Sequence, residues 1–225
     1  MVNNKEPFCL EPLILFEDNH LLVISKPAGL LAQEDKTGDP NLLDIGKNYI
    51  KDRYNKPGNV FLGLVHRLDR PTSGVMVFAR TSKAASRLSR YFRTHRIEKV
   101  YLALVEGVPP ETGHYADYIK RDTIAGYVTN NPEDKKAELE FRRLKTCGNI
   151  SLVEIHLLTG RHHQIRIQFS HRGFPVVGDR RYGSNINWQK GEIALHARDL
   201  VLCHPVSGEL MTFTSPPPAK WDSII

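Results

Sequence analysis

The stretch HRLDRPTSG, residues 66–74, lies between two apolar runs, VFLGLV before it and GVMVFAR after it. It places one acid, Asp69, between two arginines, Arg67 and Arg70. The flanking guanidinium groups favour the ionised form of the carboxylate, which could then serve as a nucleophile, as a general base or as an anchor for an arginine. The same residues also suit a tight turn that caps its own backbone. The residues alone leave both interpretations open.

The two apolar runs predict a strand, a loop and a second strand. If strand geometry extends into the stretch, residues 65, 67 and 69 share one face, because side chains alternate along a strand. Arg67 and Asp69 would then project together. A cation beside a potential nucleophile suits a phosphodiester substrate.

A second segment, KVYLALVEG at 99–107, reads as a strand. Alternation puts Tyr101, Ala103 and Val105 on one face, and Val100, Leu102 and Leu104 on the other. Tyr101 beside the small Ala103 would leave a slot for stacking a flat base. An ordinary half-buried tyrosine is the alternative.

A third segment, TGRHHQIRIQ at 159–168, runs into a short helix that is predicted over HHQIRIQFSHRG, residues 162–173, and closed by Gly173. On a helix, His162 and Arg166 are spaced i and i+4 and share a face, and Arg166 could pair with a distant carboxylate. The adjacent His162 and His163 do not predict a metal site, because neither an H-E-x-x-H motif nor a cysteine partner accompanies them.

The composition favours an anionic partner. The chain has 225 residues with 31 Lys and Arg against 25 Asp and Glu, a net charge of +6. Nucleic acid is the commonest partner for such an excess, although a merely soluble basic protein would also fit. Neither a dinucleotide fingerprint nor a P-loop occurs, so we expect no cofactor.

The three cysteines, at 9, 147 and 203, are far apart and predict neither a disulfide framework nor a zinc site. The N-terminal residues lack a signal or transit pattern, and no apolar stretch approaches the length of a membrane span. We therefore expect a cytoplasmic protein without a membrane contact.

The remaining patterns predict an α+β fold around a largely antiparallel sheet. Hairpins are predicted near 13–27, 137–159 and 200–216, and helices over 41–54 and 81–96, the second capped by Thr81 or Ser82. The outer face of that second helix carries Arg87 and Arg90, which either are simply solvated or contact nucleic acid. Residues 109–136 are expected to be loop-rich. We expect one domain over 1–225.

Six ordered segments resemble the RluA-type pseudouridine synthases. HRLDRPTSG resembles the catalytic motif of that family, KVYLALV the motif bearing its tyrosine, and LLTGRHHQIR the motif bearing its basic residue. SKPAGLL, GDRRYG and LHARDLVLCHPVSGELMTFTSP also resemble family segments in the right order, so the resemblance covers about residues 13–217. It implies a catalytic domain with mixed, largely antiparallel sheet, helices and loops around it, and an active-site cleft across the sheet.

The resemblance also implies an activity, the isomerisation of uridine in ribosomal RNA or tRNA to pseudouridine without a cofactor or metal. Asp69 would act at the ribose C1′, Tyr101 would stack on the uracil and help the proton leave C5, and Arg166 would pair with Asp69. Arg67 would occupy the space left by the flipped nucleotide, and Leu195 would pack on the base.

Further RNA contacts are expected from Arg70, Arg87 and Arg90. The S4-like RNA-binding domain that often precedes the catalytic domain in the family is not expected, since about a dozen residues come before the first family segment. We expect a monomer. The alternatives are a catalytically idle RNA-binding or RNA-chaperone module on the same fold, and a hydrolase that uses Asp69 as nucleophile.

Overall fold

The computed structural model describes residues 9–122 and 125–224. Its strands are β1 (Ile14–Glu17), β2 (Leu21–Lys26), β3 (Gly63–Leu64), β4 (Ser73–Ala79), β5 (Glu98–Glu106), β6 (Thr112–Arg121), β7 (Gly126–Thr129), β8 (Lys135–Cys147), β9 (Ile150–Leu157), β10 (Leu195–Cys203) and β11 (Leu210–Thr214). Its α-helices are α1 (Leu42–Arg53), α2 (Ser82–Arg93) and α3 (Gln164–His171). Three short 3₁₀ helices cover Glu11–Leu13, Arg180–Tyr182 and Ala219–Trp221.

In the described part of the chain, all strands belong to one mixed sheet in the order β1-β2-β4-β10-β5-β9-β8-β6-β7. β11 pairs with β10, and β3 pairs with β4. The parallel pairing is between β4 and β10, and the other pairings are antiparallel. The predicted α+β class with a largely antiparallel sheet is therefore confirmed. No helix within the described ranges is long and apolar enough to cross a membrane.

Helices cover the sheet around β4, which explains why this strand is apolar throughout. All seven residues of β4 are buried. Met76 and Phe78 pack with α1 on one face, and Val75 and Val77 pack with α2 on the other. On the other side of β10, α3 contributes Phe169 to the core formed with β5, β8 and β9.

Side-chain caps fix where the first two helices begin. The Asn41 side chain accepts a hydrogen bond from the backbone N–H of Asp44, and the Thr81 side chain accepts one from Ala84. Each bond satisfies one of the amide groups that a helix N-terminus leaves unpaired. The predicted cap at Thr81 is the one that forms.

The prediction of a loop-rich segment over 109–136 was wrong. Half of it forms β6 and β7, and β6 pairs with β8 from Thr112↔Arg142 to Ile119↔Lys135. Only Tyr115 and Ile119 are buried hydrophobic residues of β6, so its apolar signal is sparse. The long-range pairing with β8 supplies the stability that local sequence does not indicate.

The apolar run before the 66–74 stretch was also predicted too long as a strand. Its β-structure is limited to β3, and residues 65–72 lie outside any strand. The reason lies at the edge of β4, where the Val77 N–H donates to Nε2 of His66 at 3.0 Å. A histidine side chain thus takes the place of a strand at that position, and Asp69 lies in a loop with its carbonyl bonded to the Thr72 N–H at 3.0 Å.

Gly74 lies where β4 and β10 come together, opposite Ala197. Its φ is +118°, and a Cβ there would overlap the backbone N, C and O atoms of Ala197. Only glycine allows this approach of two backbones. The position of the parallel pairing, and so of the loop that carries Asp69, depends on this residue.

Gly74→Ala should therefore destabilise the protein by about 3 kcal/mol or more, because backbone strain and a clash with backbone atoms act together. Gly208→Ala is the matched control, since Gly208 also has a positive φ, +80°, but a Cβ there meets nothing within 4 Å. That change should cost about 1 kcal/mol. Urea unfolding of both variants measures the difference, and equal losses would contradict the close-approach argument.

Candidate active site

A cavity of ≈ 550 Å³ opens where the 66–74 loop, the middle of the sheet and the start of α3 meet. Its wall contains Arg67, Asp69, Tyr101, Arg166 and Leu195, which come from four separate segments of the chain. These are all three residues predicted to be catalytic and two of those predicted to bind RNA. The fold therefore brings the predicted central residues into one cavity.

Two side chains lie close to the same carboxylate oxygen of Asp69, and Arg166 donates a hydrogen bond to it. Its Oδ2 lies 3.2 Å from Nη1 of Arg166 and 3.3 Å from Nε2 of His163. The Asp69 side chain is 24 % exposed, whereas those of Arg166 and His163 are each 6 % exposed. The carboxylate is therefore held from the protein side and stays accessible from the cavity.

Arg166 is bound more tightly to a second acid, Asp179, than to Asp69. Its Nε donates to Oδ2 of Asp179 at 2.6 Å and its Nη2 to Oδ1 at 2.8 Å, a bidentate pair with Asp179 only 2 % exposed. Burial alone would lower the pKa of Arg166, but the hydrogen bonds and charge of Asp179 outweigh it and leave that pKa raised. The sequence prediction found the Asp69 contact and missed the buried acid behind it.

His163, and not His162, contacts the acid. The predicted i, i+4 face of His162 and Arg166 was wrong, because α3 begins at Gln164 and His163 adopts a left-handed backbone with φ 54° and ψ 21°. The ring of His162 instead stacks on that of His163, with centroids 3.7 Å apart. Periodicity cannot show where a helix starts when the cap is an irregular residue without a capping side chain.

Tyr182 contacts the His163 nitrogen that faces away from Asp69. Burial, and then the charge of Arg166, hold the pKa of His163 far below its usual value, so the ring is neutral. The Tyr182 hydroxyl lies 2.8 Å from Nδ1 and also accepts the N–H of Gly126 at 3.0 Å. When the hydroxyl donates its proton to Nδ1, the ring proton lies on Nε2, the nitrogen 3.3 Å from Asp69 Oδ2.

Tyr101 packs between the two core clusters on either side of β10. The predicted alternation along β5 is confirmed: Tyr101 and Ala103 face one core, and Leu102 and Leu104 face another. The slot does not lie beside Ala103, which is fully buried in the core. The cavity opens instead toward Lys99, one step earlier on the same face. Burial, and then the charge of Asp69, raise the pKa of Tyr101, which keeps its phenol protonated.

Lys26, in the SKPAGLL segment, anchors the 66–74 loop through a hydrogen bond to the carbonyl of Arg70. Its side chain is fully buried, and its Nζ donates to the carbonyl oxygens of Pro27 at 3.0 Å, Leu30 at 2.8 Å and Arg70 at 3.2 Å. Burial lowers the pKa of Lys26 to about 7, although the charge of Asp69 opposes the shift. No pattern in the local sequence indicates this role, because the acceptors are backbone atoms distant along the chain.

The predicted RNA-binding residues divide by position. Arg67 is exposed and Leu195 is buried, and both line the cavity. Arg70 lies outside the cavity wall and pairs with Asp39 at 2.7 Å on the surface. Arg87 donates to the carbonyl of Pro205, and Arg90 is exposed outside the wall. At the end of α2 it is Arg93 that reaches the cavity.

Among the residues that the structure describes, Asp69, His162 and His163 could hold a metal ion, since one potential ligand atom of each lies within 4.8 Å of the others. Arg166 contacts the same oxygen of Asp69, and the charges of Arg121, Arg67 and Arg166 act on His162. These positive charges oppose a cation. The absence of a metal remains a prediction.

Comparison with known proteins identifies the family. The family model described as RNA pseudouridylate synthase matches residues 20–171. An uncharacterized RNA pseudouridine synthase of Chloroflexus aurantiacus is 41% identical over 172 residues, which is 75% of this chain and 54% of that protein. The ribosomal large subunit pseudouridine synthase D of Zymomonas mobilis is 32% identical over 96% of this chain and 72% of its own length.

The tRNA pseudouridine synthase C of Pectobacterium carotovorum is 31% identical over 94% of this chain and 61% of that protein. The chain thus spans about half to three quarters of the length of these relatives. Among solved structures, the human RNA pseudouridylate synthase domain containing 4 protein superposes with a TM-score of 0.79 at 26% identity, over 95% of this chain and 91% of that one. The resemblance seen in the sequence is confirmed, and the chain belongs to the RNA pseudouridylate synthase family, whose members are isomerases.

Proposed function

We propose that this protein isomerises uridine in ribosomal RNA or tRNA to pseudouridine, with Asp69 as the catalytic acid residue in its ionised form. The observation that carries the proposal is the environment of Asp69: a carboxylate open to a cavity, held by Arg166 and His163 and close to Tyr101. Relatives named for ribosomal RNA and for tRNA both cover most of this chain, and they support this substrate class.

In the proposed reaction the target uridine leaves its stack and enters the cavity, at a cost of about a few kcal/mol. Asp69 acts at the ribose C1′ while the bond from C1′ to N1 breaks. The uracil then turns, and C5 bonds to C1′. The C5 proton passes to Asp69, the single acid among the described residues of the cavity wall. N1 takes a proton from water, and Asp69 returns its proton to the resulting hydroxide, which regenerates the carboxylate. Product and substrate are isomers, so the reaction consumes no co-reactant.

Each neighbour of Asp69 has a proposed part. Arg166 orients the carboxylate through its hydrogen bond. Tyr101 offers its ring to the uracil; because its phenol stays protonated, we assign it stacking and not the action of a phenolate base. Leu195 packs on the base from the β10 side, and Arg67 fills the space that the flipped nucleotide leaves.

Asp69→Asn should abolish pseudouridine formation and leave RNA affinity nearly unchanged, because phosphate contacts supply most of the affinity. The assay is tritium release from RNA that contains 5-tritiated uridine, together with a binding titration. Asp52→Asn, at an exposed residue of α1 outside the cavity, is the matched control and should keep full activity. Substantial turnover by the Asp69 variant would overturn the assignment. RNA binding without turnover by the wild-type protein would favour the idle binding module.

Arg67→Ala should impair extrusion of the nucleotide and not the chemistry that follows. Its single-turnover rate should fall more on a hairpin whose target uridine is paired in the stem than on one whose target lies in the loop, since less unstacking is needed there. Arg53→Ala is the control, because Arg53 is an exposed arginine of α1 outside the cavity wall. The proposed role of Arg67 is wrong if the single-turnover rate of Arg67→Ala falls by the same factor on both hairpins.

Tyr182→Phe should lower kcat by about ten- to a hundredfold, the range found for partners that fix a histidine tautomer, with little change in KM. The lost hydroxyl no longer donates to Nδ1 of His163, so the proton can move away from the nitrogen that faces Asp69. The ¹⁵N shifts of His163 should report an Nε2–H ring in the wild type and a mixture in the variant. Tyr127→Phe, at an exposed position of β7, is the control. An Nδ1–H ring in the wild-type protein would show that the Tyr182 hydroxyl does not donate to Nδ1 of His163.

A further inference from the structure

Lys99 is a partly buried cation that the proposed chemistry does not use. It lies on β5 two residues before Tyr101, so both side chains project from the same face, about 7 Å apart along the strand. Both residues line the cavity. The Lys99 ammonium donates to the carbonyl of Thr159 at 3.3 Å. Within residues 9–122 and 125–224, no carboxylate forms an ion pair with it.

The groups that face Lys99 leave its charge uncompensated. Arg161 lies in the turn after β9, and its positive charge, after burial, lowers the pKa of Lys99 to about 8. On another side is His66, which is neutral because burial, and then the charge of Lys99, lower its pKa to about 3. Arg93 and His95, at the end of α2, add further basic groups to the same wall.

The wall beside Lys99 leaves its ammonium accessible from the cavity. Gly160 lies beside it without a side chain, and an added Cβ there would lie 3.5 Å from the Lys99 Nζ. Arg161 has its Nε bonded to the carbonyl of Lys136 at 2.8 Å, which fixes the position of its guanidinium group. Two adjacent cations held in place without an acid are stabilised by binding an anion, and a phosphate group suits both side chains.

We propose that Lys99 and Arg161 form a subsite for one of the two phosphates that flank the target uridine. The inference rests on the proposed function, because the position of the subsite beside Tyr101 is what makes the phosphate neighbour the flipped nucleotide. The subsite holds the backbone on one side of the ring that receives the base. Nucleotide extrusion and phosphate binding are then coupled by the i, i+2 spacing on one strand.

The proposal predicts a specific pH dependence of RNA affinity. Bound phosphate favours the charged ammonium, so affinity is full below pH 8 and falls as the pH rises above it, by several-fold and at most about tenfold between pH 7 and pH 9. Lys99→Arg keeps the charge at every such pH, so its affinity should lose this part of the dependence. Any pH dependence of affinity that comes from other groups, such as the buried Lys26 with its pKa of about 7, should be the same in both proteins. Identical pH profiles for wild type and Lys99→Arg would overturn the proposal.

A double-mutant cycle, in which Lys99 and one RNA linkage are each changed, identifies the ligand of Lys99. The probe is a labelled oligoadenylate with one central uridine, and its neutral counterparts carry a methylphosphonate in place of the phosphate 5′ or 3′ of that uridine. Lys99→Met should weaken binding of the charged probe about tenfold and reduce the salt dependence of its affinity by about one phosphate contact. At one of the two linkages, Lys99→Met should bind the neutral probe with an affinity no lower than that produced by either change alone. Losses that multiply at both linkages would show that Lys99 does not bind a flanking phosphate.

Two controls keep the outcomes apart. Lys145→Met removes an exposed lysine of β8 outside the cavity and should leave affinity for the probe unchanged. Thermal unfolding of each variant shows whether the fold is intact, and Lys99→Arg serves if Lys99→Met unfolds. Normal pseudouridine formation with no coupling at Lys99 would refute the subsite alone. A wild-type protein that shows the coupling but never forms pseudouridine would refute the proposed function and leave the phosphate site.

Discussion

The candidate site depends on one buried guanidinium group that two acids share unequally. Arg166 gives two hydrogen bonds to Asp179, which is almost fully buried, and one to Asp69, which faces the cavity. An unpaired buried charge costs several kcal/mol, so the Asp179 pair is what allows Arg166 to stay in the core. The ring of Tyr182 lies 5.0 Å from the guanidinium carbon and packs against it. The direction of the remaining N–H, and with it the position of Asp69, follows from this arrangement.

The charges of the cavity divide into two groups by what they pair with. Inside, Arg166 is paired with Asp179 and gives its remaining hydrogen bond to Asp69. The neutral ring of His163, 3.3 Å from the same Asp69 oxygen, adds no charge. On the wall, Arg67, Lys99 and Arg161 form no ion pair within the described ranges. A site of this kind presents a positive surface to a polyanion.

The sequence could predict the features that depend on local pattern. The alternation along β5, the cap at Thr81, the hairpins and the group of Asp69, Tyr101 and Arg166 follow from residue type, spacing and resemblance. The features that it could not predict depend on distant partners. β6 is a strand because β8 pairs with it, and Asp179 and Lys26 act through atoms far along the chain. His163 was missed because its left-handed backbone shifts the start of α3 by two residues relative to the pattern.

In the stretch at 66–74, the residues that interrupt the sheet are also the residues that position Asp69. His66 replaces a strand partner at Val77, so the chain leaves the sheet before Arg67. Gly74 lets β4 meet the backbone of β10, so the chain re-enters the sheet at a fixed point. Asp69 lies between these two anchors, in a loop short enough to have little freedom. An uninterrupted strand would have paired these backbone groups and directed the carboxylate out of one face of the sheet. The break instead turns the carboxylate toward Arg166 and the cavity.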